Sequence, residues 1–470
     1  MDIENLDAMG CAELIAAGQI SPRELVQATI DRIEALNPSL NAVVHKLYDK
    51  ALAAAEAPGL ADTPLRGVPT LVKDLDGSTA GDPWYGGSVY LKKLDWHEPD
   101  DSHAIAQMRR AGLLIVGKTA TPELGMQVNT VTDAHGTTRN PWNLEHSAGG
   151  SSGGSGAAVA ARIVPVAHGG DGGGSIRIPA GYNGLFGLKP SRGRVSNAPL
   201  EADPWGGLVC RHVLTRSVRD SALLLDWLSK PGVGDPYAAP AAVRAYLDEV
   251  RAGVRGLKVG LMTHHPLGGA LDPECVAAVR LMGQRLAEAG CVVEEASPPA
   301  FANLRPEWLG VVVTAWIAHE LEDLIRRTGV EPGPGDLMPA AAGALAAGRK
   351  LPAPVYIATM EAIHAWSRTM KAWWADHDIL LMPTSPYVAP RLDVLAADPG
   401  NAAMGVSLTA PFNMTGQPAA SIPGGWSALG LPIGVQAIAD FGREDLIFRI
   451  AGALEEMAPW TDRKPGVCAG

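Results

Sequence analysis

The apolar positions of this chain change period repeatedly, and the changes mark out its elements. Residues 12–36 read as two helices. Ser21 followed by Pro22 fits an N-cap with proline at the first helical position, and Glu24 completes a capping box. Leu25, Ile30, Ile33 and Leu36 then recur at roughly helical spacing. Residues 66–76, RGVPTLVKDLD, are a short apolar run ending in charge, which predicts a strand that delivers Lys73 near its end. An amphipathic helix is expected over 102–111 and a strand over 113–116. Residues 133–156 read as loop, followed by a small-residue helix, AAVAAR, and a short strand at 165–168.

The same alternation continues. GLFGLKPSRGR predicts a strand and turn, 218–228 and 272–289 helices, and 257–263 a strand between them. Residues 299–375 are helix-rich, with a break at EPGPGD, and form the expected substrate-side subregion. DILLMPT at 378–384 reads as a buried strand, 411–423 as a loop, 432–439 as a strand, and 445–457 as a helix. Helices alternating with strands predict an α/β protein, a sheet with helices on its faces. No fixed-period repeat interrupts it, so residues 1–470 are expected to form one domain.

Composition narrows the partners. With 470 residues, 47% of them hydrophobic, the chain can bury a large core, and its 54 glycines favour closely approaching layers. The net charge of −11 and the lack of any Lys/Arg run argue against a nucleic-acid partner. Apolar stretches such as 309–317 fall short of the ~20 residues of a membrane span. The N-terminus MDIENLDAMG has no basic segment leading into an apolar one, and five scattered cysteines lack any CxxC pair; a cytoplasmic protein with reduced thiols is expected. The oligomeric state is left open, a homodimer among the alternatives.

Two small-residue segments carry the chemistry: GGSSGGSG at 149–156 and GGDGGGSIR at 169–177. An oxyanion needs several backbone N–H donors aimed at one point, and consecutive glycines permit the tight turn that does this. Gly172, Gly173 and Gly174 therefore read as a nest ending at a nucleophile, Ser175. A serine also needs a base. His168 is the histidine nearest the glycine run. Lys73, in its apolar strand, can serve if burial lowers its pKa.

These segments, GGSSGGSGAAVAA and HGGDGGGSIRIPAGYNGLFGLKPSRG, resemble the amidase signature family, and the likeness extends through RGVPTLVKD, AGLLIVGKTATPELGM, TRNPWN, PFNMTGQPA and LPIGVQ. It implies the family's fold, a central mixed twisted β-sheet flanked by helices on both faces. It also implies a Ser–cis-Ser–Lys triad: Ser175 as the acylated nucleophile, Ser151 as the cis-peptide serine and Lys73 as the base. The oxyanion donors would be the amides of Gly172, Gly173, Gly174 and Ser175. No metal or organic cofactor is implied. Asp171 and Arg177 are expected to buttress the loop, and Ser152 and Ser155 to bond to its backbone. Two departures stand out: Gly170 where the family usually has threonine, and Gly172 where a bulkier residue is frequent.

Other motif matches fail on context. Gly112-x4-Gly117-Lys118-Thr119 has the P-loop pattern, but its interior, Leu-Leu-Ile-Val, predicts a buried strand. Gly150-x-Ser152-x-Gly154 lacks the preceding strand of a nucleophile elbow. His319-Glu320 lacks the second histidine of a zinc motif.

Within the family, TRNPWNL, VAHGGDGGGSIRIPA, THHPLGG and GREDL are closest in character to 6-aminohexanoate-cyclic-dimer hydrolases and urethanase-like amidases. The implied substrate is a small amide or carbamate. The alternative is the glutaminase (A) subunit of an amidotransferase, which would deliver ammonia to a partner. Met126, Gln127, Asn129, Trp316, Phe412 and Asn413 are the candidate substrate-binding residues.

Overall fold

The computed structural model describes residues 3–57, 62–199, 201–397 and 404–470. Its centre is an eleven-stranded mixed sheet. In chain order the strands are β1 (Val43–Lys46), β2 (Pro69–Lys73), β3 (Leu114–Thr119), β4 (Val166–Asp171), β5 (Phe186–Lys189) and β6 (Cys210–Thr215), then β7 (Lys258–Leu261), β8 (Val292–Glu294), β9 (Ile379–Pro383), β10 (Ala419–Trp426) and β11 (Pro432–Ala439). Across the sheet they run β1-β3-β2-β4-β6-β5-β10-β11-β9-β7-β8. β2 is parallel to both β3 and β4, and β7 is parallel to both β8 and β9; the other pairs are antiparallel.

Why the strands read as unbroken apolar runs is clear from their two faces. Along β9, Ile379 and Leu381 enter one core while Leu380 and Met382 enter another. Along β3, Ile115 opposes Leu114 and Val116 in the same way. A strand buried on both sides shows no polar alternation. One face is covered by the helices Val218–Leu228, Pro273–Glu288 and Glu444–Met457, through residues such as Leu224, Val279 and Ile447. The other is covered by Pro22–Leu40 and Gly153–Ala160, and farther along by Glu307–Thr328 and Ala353–Lys371. Gly153–Ala160 is buried along its whole length, as its lack of large side chains permits.

The expected elements are present, with three differences. The strand expected at 165–168 continues to Asp171, because β6 pairs with it residue by residue from Thr215↔Val166 to Cys210↔Asp171. That ladder carries the strand through Gly169 and Gly170. Residues 411–423 are not a loop: they hold most of the helix Ala410–Met414 and the start of β10. Residues 133–156 contain short ladders, one pairing Val131–Thr132 with Gly136–Thr137 and another pairing Arg139–Asn140 with Asn143–Ser147. The capping box at Ser21 and Glu24 forms as read. The helix-rich stretch contains Glu307–Thr328, Pro339–Gly348 and Ala353–Lys371. Among the described residues no helix is long and apolar enough to cross a membrane, and all five cysteines are free.

Two histidines of the central strands, His168 on β4 and His212 on β6, are fully buried, and burial pushes each down to about 3. His212 Nε2 meets Ser221 Oγ at 3.0 Å. Unfolded, such a histidine takes up a proton below pH ~6.5, and folded it does not, so its contribution to stability is present above pH ~6.5 and lost as pH falls toward the folded value. A His212→Gln variant lacks this dependence. The stability gap between wild type and variant should therefore narrow by about 2 kcal/mol between pH 7.5 and pH 5. Denaturant unfolding at the two pH values measures it; a constant gap would contradict the neutral buried imidazole.

Candidate active site

Parallel neighbours β2 and β4 end side by side, and each carries a functional charge at its C-terminal end. Lys73 closes β2 and is almost fully buried. Its Nζ donates to Ser151 Oγ at 2.8 Å and to Asp76 Oδ2 at 2.6 Å. Ser151 follows a cis peptide bond from Gly150. The segment after it is tied to the glycine run. Ser152 N donates to Ser175 O at 3.2 Å and Ser152 Oγ to Gly170 O at 3.2 Å. Ser155 Oγ donates to His168 O at 2.7 Å. The two small-residue segments thus form one unit.

Ser175 lines the same cavity as Lys73 and Ser151. Among the described residues, the N–H groups of Gly172, Gly173, Gly174 and Ser175 donate to no protein acceptor. Gly174 has φ +140°, and a Cβ there would meet Thr409 Oγ1 at 2.3 Å, so this turn requires glycine. Thr409 Oγ1 also donates to Gly173 O at 2.6 Å, which fixes the preceding peptide.

The turn is held from behind by a buried ion pair. Asp171 accepts from Ile176 N at 3.2 Å and from Arg177 Nε at 2.9 Å and Nη2 at 2.8 Å. Arg177 Nη1 donates to Thr409 O and Gln436 Oε1, and Nη2 also to Asn413 Oδ1. All five guanidinium N–H donors are used. Burial acts to raise the Asp171 carboxyl, but the Arg177 charge and its hydrogen bonds outweigh it and hold the group well below the usual carboxylate range.

Asp76 escaped notice in the sequence. Burial acts to raise its carboxyl, yet Lys73 and then Arg211 hold it below its ordinary value, so it stays ionised beside Lys73. The space it occupies exists because residue 170 is glycine: a Cβ on Gly170 would lie 2.2 Å from Asp76 Oδ2. The departure at Gly170 is therefore linked to this carboxylate, and the acid in LVKDLD was the available signal. His168, the other candidate base, is buried with neither ring nitrogen hydrogen-bonded.

The remaining candidates divide. Trp316 lines the cavity and donates from Nε1 to Tyr356 Oη at 2.9 Å. Asn413 lies behind the turn, donating to Asp171 O and Oδ1, both at 2.9 Å. Phe412 is buried in the core, edge-on to Phe301. Met126, Gln127 and Asn129 are not among the cavity-lining residues; the backbone of Gln127 and Asn129 packs against Gly150. The cavity, about 490 Å³, is instead walled by residues not among the substrate-binding candidates, including Trp205, Glu201, Arg211 and Glu320. Lys118 of the P-loop-like pattern is buried in β3 and donates to Pro83 O. Among the described residues, His45, Asp74 and His135 form the one group with metal-ligand types together, and Lys118 Nζ stands 4.0 Å from Asp74 Oδ1 as a competing cation.

Two substitutions test this arrangement. Arg177→Met should destabilise the protein by about 3–5 kcal/mol in denaturant unfolding, because Asp171 is left charged and unpaired in the core. Gly170→Thr should displace Asp76 and slow turnover on the order of 10²-fold, as small misplacements of a catalytic group do. Combined with Asp76→Gly, its effect should be less than additive; strict additivity would show the two positions to be uncoupled.

Comparison with known proteins identifies the family. The family model described as amidase matches residues 24–448. The chain is 40% identical to a 6-aminohexanoate-cyclic-dimer hydrolase of Pseudomonas sp. (strain NK87) over 98% of its own length and 96% of that protein's. It is 31% identical to an acylamidase of Rhodococcus erythropolis, covering 98% and 97%. A solved structure of a 6-aminohexanoate cyclic dimer hydrolase complexed with substrate superposes with a TM-score of 0.96 at 38% identity, covering 100% of both chains. A glutamyl-tRNA(Gln) amidotransferase subunit of Thermotoga maritima is farther away, at 27% identity and a TM-score of 0.83, covering 100% and 99%. The chain belongs to the amidase family, hydrolases of carbon–nitrogen bonds other than peptide bonds.

Proposed function

We propose that this chain hydrolyses a C–N bond in a small amide (aliphatic, anilide, or cyclic or oligomeric of the nylon type) or in a carbamate, through an ester on Ser175. The observation that carries this reading is the Lys73–Ser151 hydrogen bond at 2.8 Å, opening onto the cavity where Ser175 ends a run of undonated N–H groups. The Ser151 proton passes to Lys73 Nζ, and the Ser175 proton passes to Ser151. Ser175 Oγ attacks the carbonyl carbon, and the oxyanion forms beside the amides of Gly172, Gly173, Gly174 and Ser175. Each such donor contributes roughly 3–4 kcal/mol of transition-state stabilisation. Ser151 returns a proton to the leaving nitrogen, the C–N bond breaks, and water then releases the acid from the ester.

The near-full-length likeness to 6-aminohexanoate-cyclic-dimer hydrolases supports an aliphatic or cyclic amide as substrate, and the acylamidase relative supports an acyl amide. A carbamate presents the same carbonyl bearing nitrogen.

Ser175→Ala should lower turnover roughly 10⁴-fold or more while leaving the unfolding transition in place. A panel of aliphatic amides, anilides, cyclic lactam dimers and carbamates, assayed with the purified chain alone, tests substrate class. Activity confined to glutamine, and only with a partner chain present, would replace this reading with that of an amidotransferase component.

A further inference from the structure

Acidic side chains outnumber lysines and arginines on the cavity wall. Six carboxyl groups line it against one lysine and three arginines. Four of the six are paired: Asp76 with Lys73, Glu201 with Arg211, Glu98 with Arg327, and Asp323 with Arg326. Asp203 lies in the fields of Arg192 and His364. Glu320 has no ion-pair partner among the described residues; its one hydrogen bond is from Trp205 Nε1 to Oε1, at 3.1 Å.

The position of Glu320 is fixed from two sides. It stands one turn after Trp316 and one turn before Leu324 on the helix Glu307–Thr328, and all three line the cavity. The indole that holds it covers the oxyanion loop: a Cβ on Gly172 would meet the Trp205 ring at 3.0 Å. Glu320 therefore sits one indole ring and one hydrogen bond away from the glycine run that ends at Ser175. Glu320 and Ser175 line the same cavity.

A carboxyl in this setting gains most from a cation or a strong N–H donor. Burial first, and the Glu201 charge next, push Glu320 well above the usual carboxylate range, while the Trp205 bond and Arg211 act the other way. A positive group delivered by a ligand offsets both of the leading effects. A carboxylate-bearing ligand would bring a further acceptor beside Glu320 and Glu201 and no donor for either.

We infer that Glu320 determines specificity by accepting a hydrogen bond from an N–H-bearing group of the substrate, an alkyl ammonium or a second amide N–H, remote from the scissile bond. This inference rests on the amide-hydrolase reading above. It makes the preferred substrate a molecule with two nitrogens, one in the bond cleaved and one bound at Glu320.

The test uses one parent amide, N-hexyl hexanamide, and its two amino derivatives, carrying a terminal amine on the acyl chain or on the amine chain. At pH 7.5 both chain-end amines are ammonium groups. Wild type should show kcat/KM at least fivefold higher for one of the amino derivatives than for the parent. Glu320→Gln, which keeps the shape, should reduce that ratio at least fivefold. A wild-type ratio below fivefold for both derivatives, or a ratio that survives in Glu320→Gln, overturns the inference. Calorimetry of hexylammonium and hexanoate with wild type and Glu320→Gln gives a second reading that needs no turnover. Hexylammonium should bind more tightly than hexanoate, and Glu320→Gln should remove that difference; equal binding by wild type overturns the inference. Failure to cleave any of the three amides or the other panel members counts instead against the amide-hydrolase reading, and the calorimetry still decides the ammonium site. If Glu320→Gln does not fold, the wild-type preference between hexylammonium and hexanoate decides alone.

Discussion

The pairing of Asp171 with Arg177 is the constraint on which the active site depends. Two opposite charges with no exposed surface are costly to bury, and they persist because every guanidinium donor and both carboxylate oxygens are used. The pair does more than neutralise itself. Asp171 ends β4 and accepts the N–H of Ile176, so the intervening residues 172–175 must form a tight loop closed at its base. Arg177 reaches Thr409 O and Gln436 on β11, while Asn413 returns a bond to Asp171. The turn that ends at Ser175 is thus anchored to chain more than two hundred residues away, and among the described residues its N–H groups have no protein acceptor.

Sheet topology supplies the other half of the site. β2 and β4 are parallel neighbours, so their C-terminal ends lie at the same edge, where Lys73 and Asp171 emerge together. Open α/β sheets bind ligands outside the carboxyl ends of their strands, and the cavity of this chain lies at that edge, lined by Lys73, Gly170 and Gly172. The helix Gly153–Ala160 crosses close behind, and Ser155 Oγ bonds to the β4 backbone at His168 O. Serine, lysine and glycine run thereby share one rigid platform, as electrostatic preorganisation requires.

Chemistry and selection come from different parts of the molecule. The reacting groups sit on the sheet edge and the two small-residue segments. The opposite wall is made by the helix Glu307–Thr328 and by the Trp205 turn, where Trp205 itself has φ +55°. Asp76 lies between the two, a carboxylate admitted by the absence of a side chain at Gly170 and held against the lysine.

The sequence by itself determined the layered α/β class and most of its strands and helices, and its resemblance to the amidase signature family marked Ser175, Ser151 and Lys73 as the expected reacting groups. Those features are local: runs buried on both faces, a capping box at Ser21, and glycines placed next to serines. Only the tertiary structure decided what surrounds them. Glu320 and Trp205 are separated by 115 positions and meet through one hydrogen bond, and Asp76 fits only because Gly170, on a neighbouring strand, leaves room. Phe412 and Asn413 are adjacent in sequence, but one is buried in the core and the other bonds to Asp171 behind the nucleophile turn. Periodicity reports which face of an element is buried. It carries no record of which distant face comes to lie opposite, and that opposition is what makes a pocket.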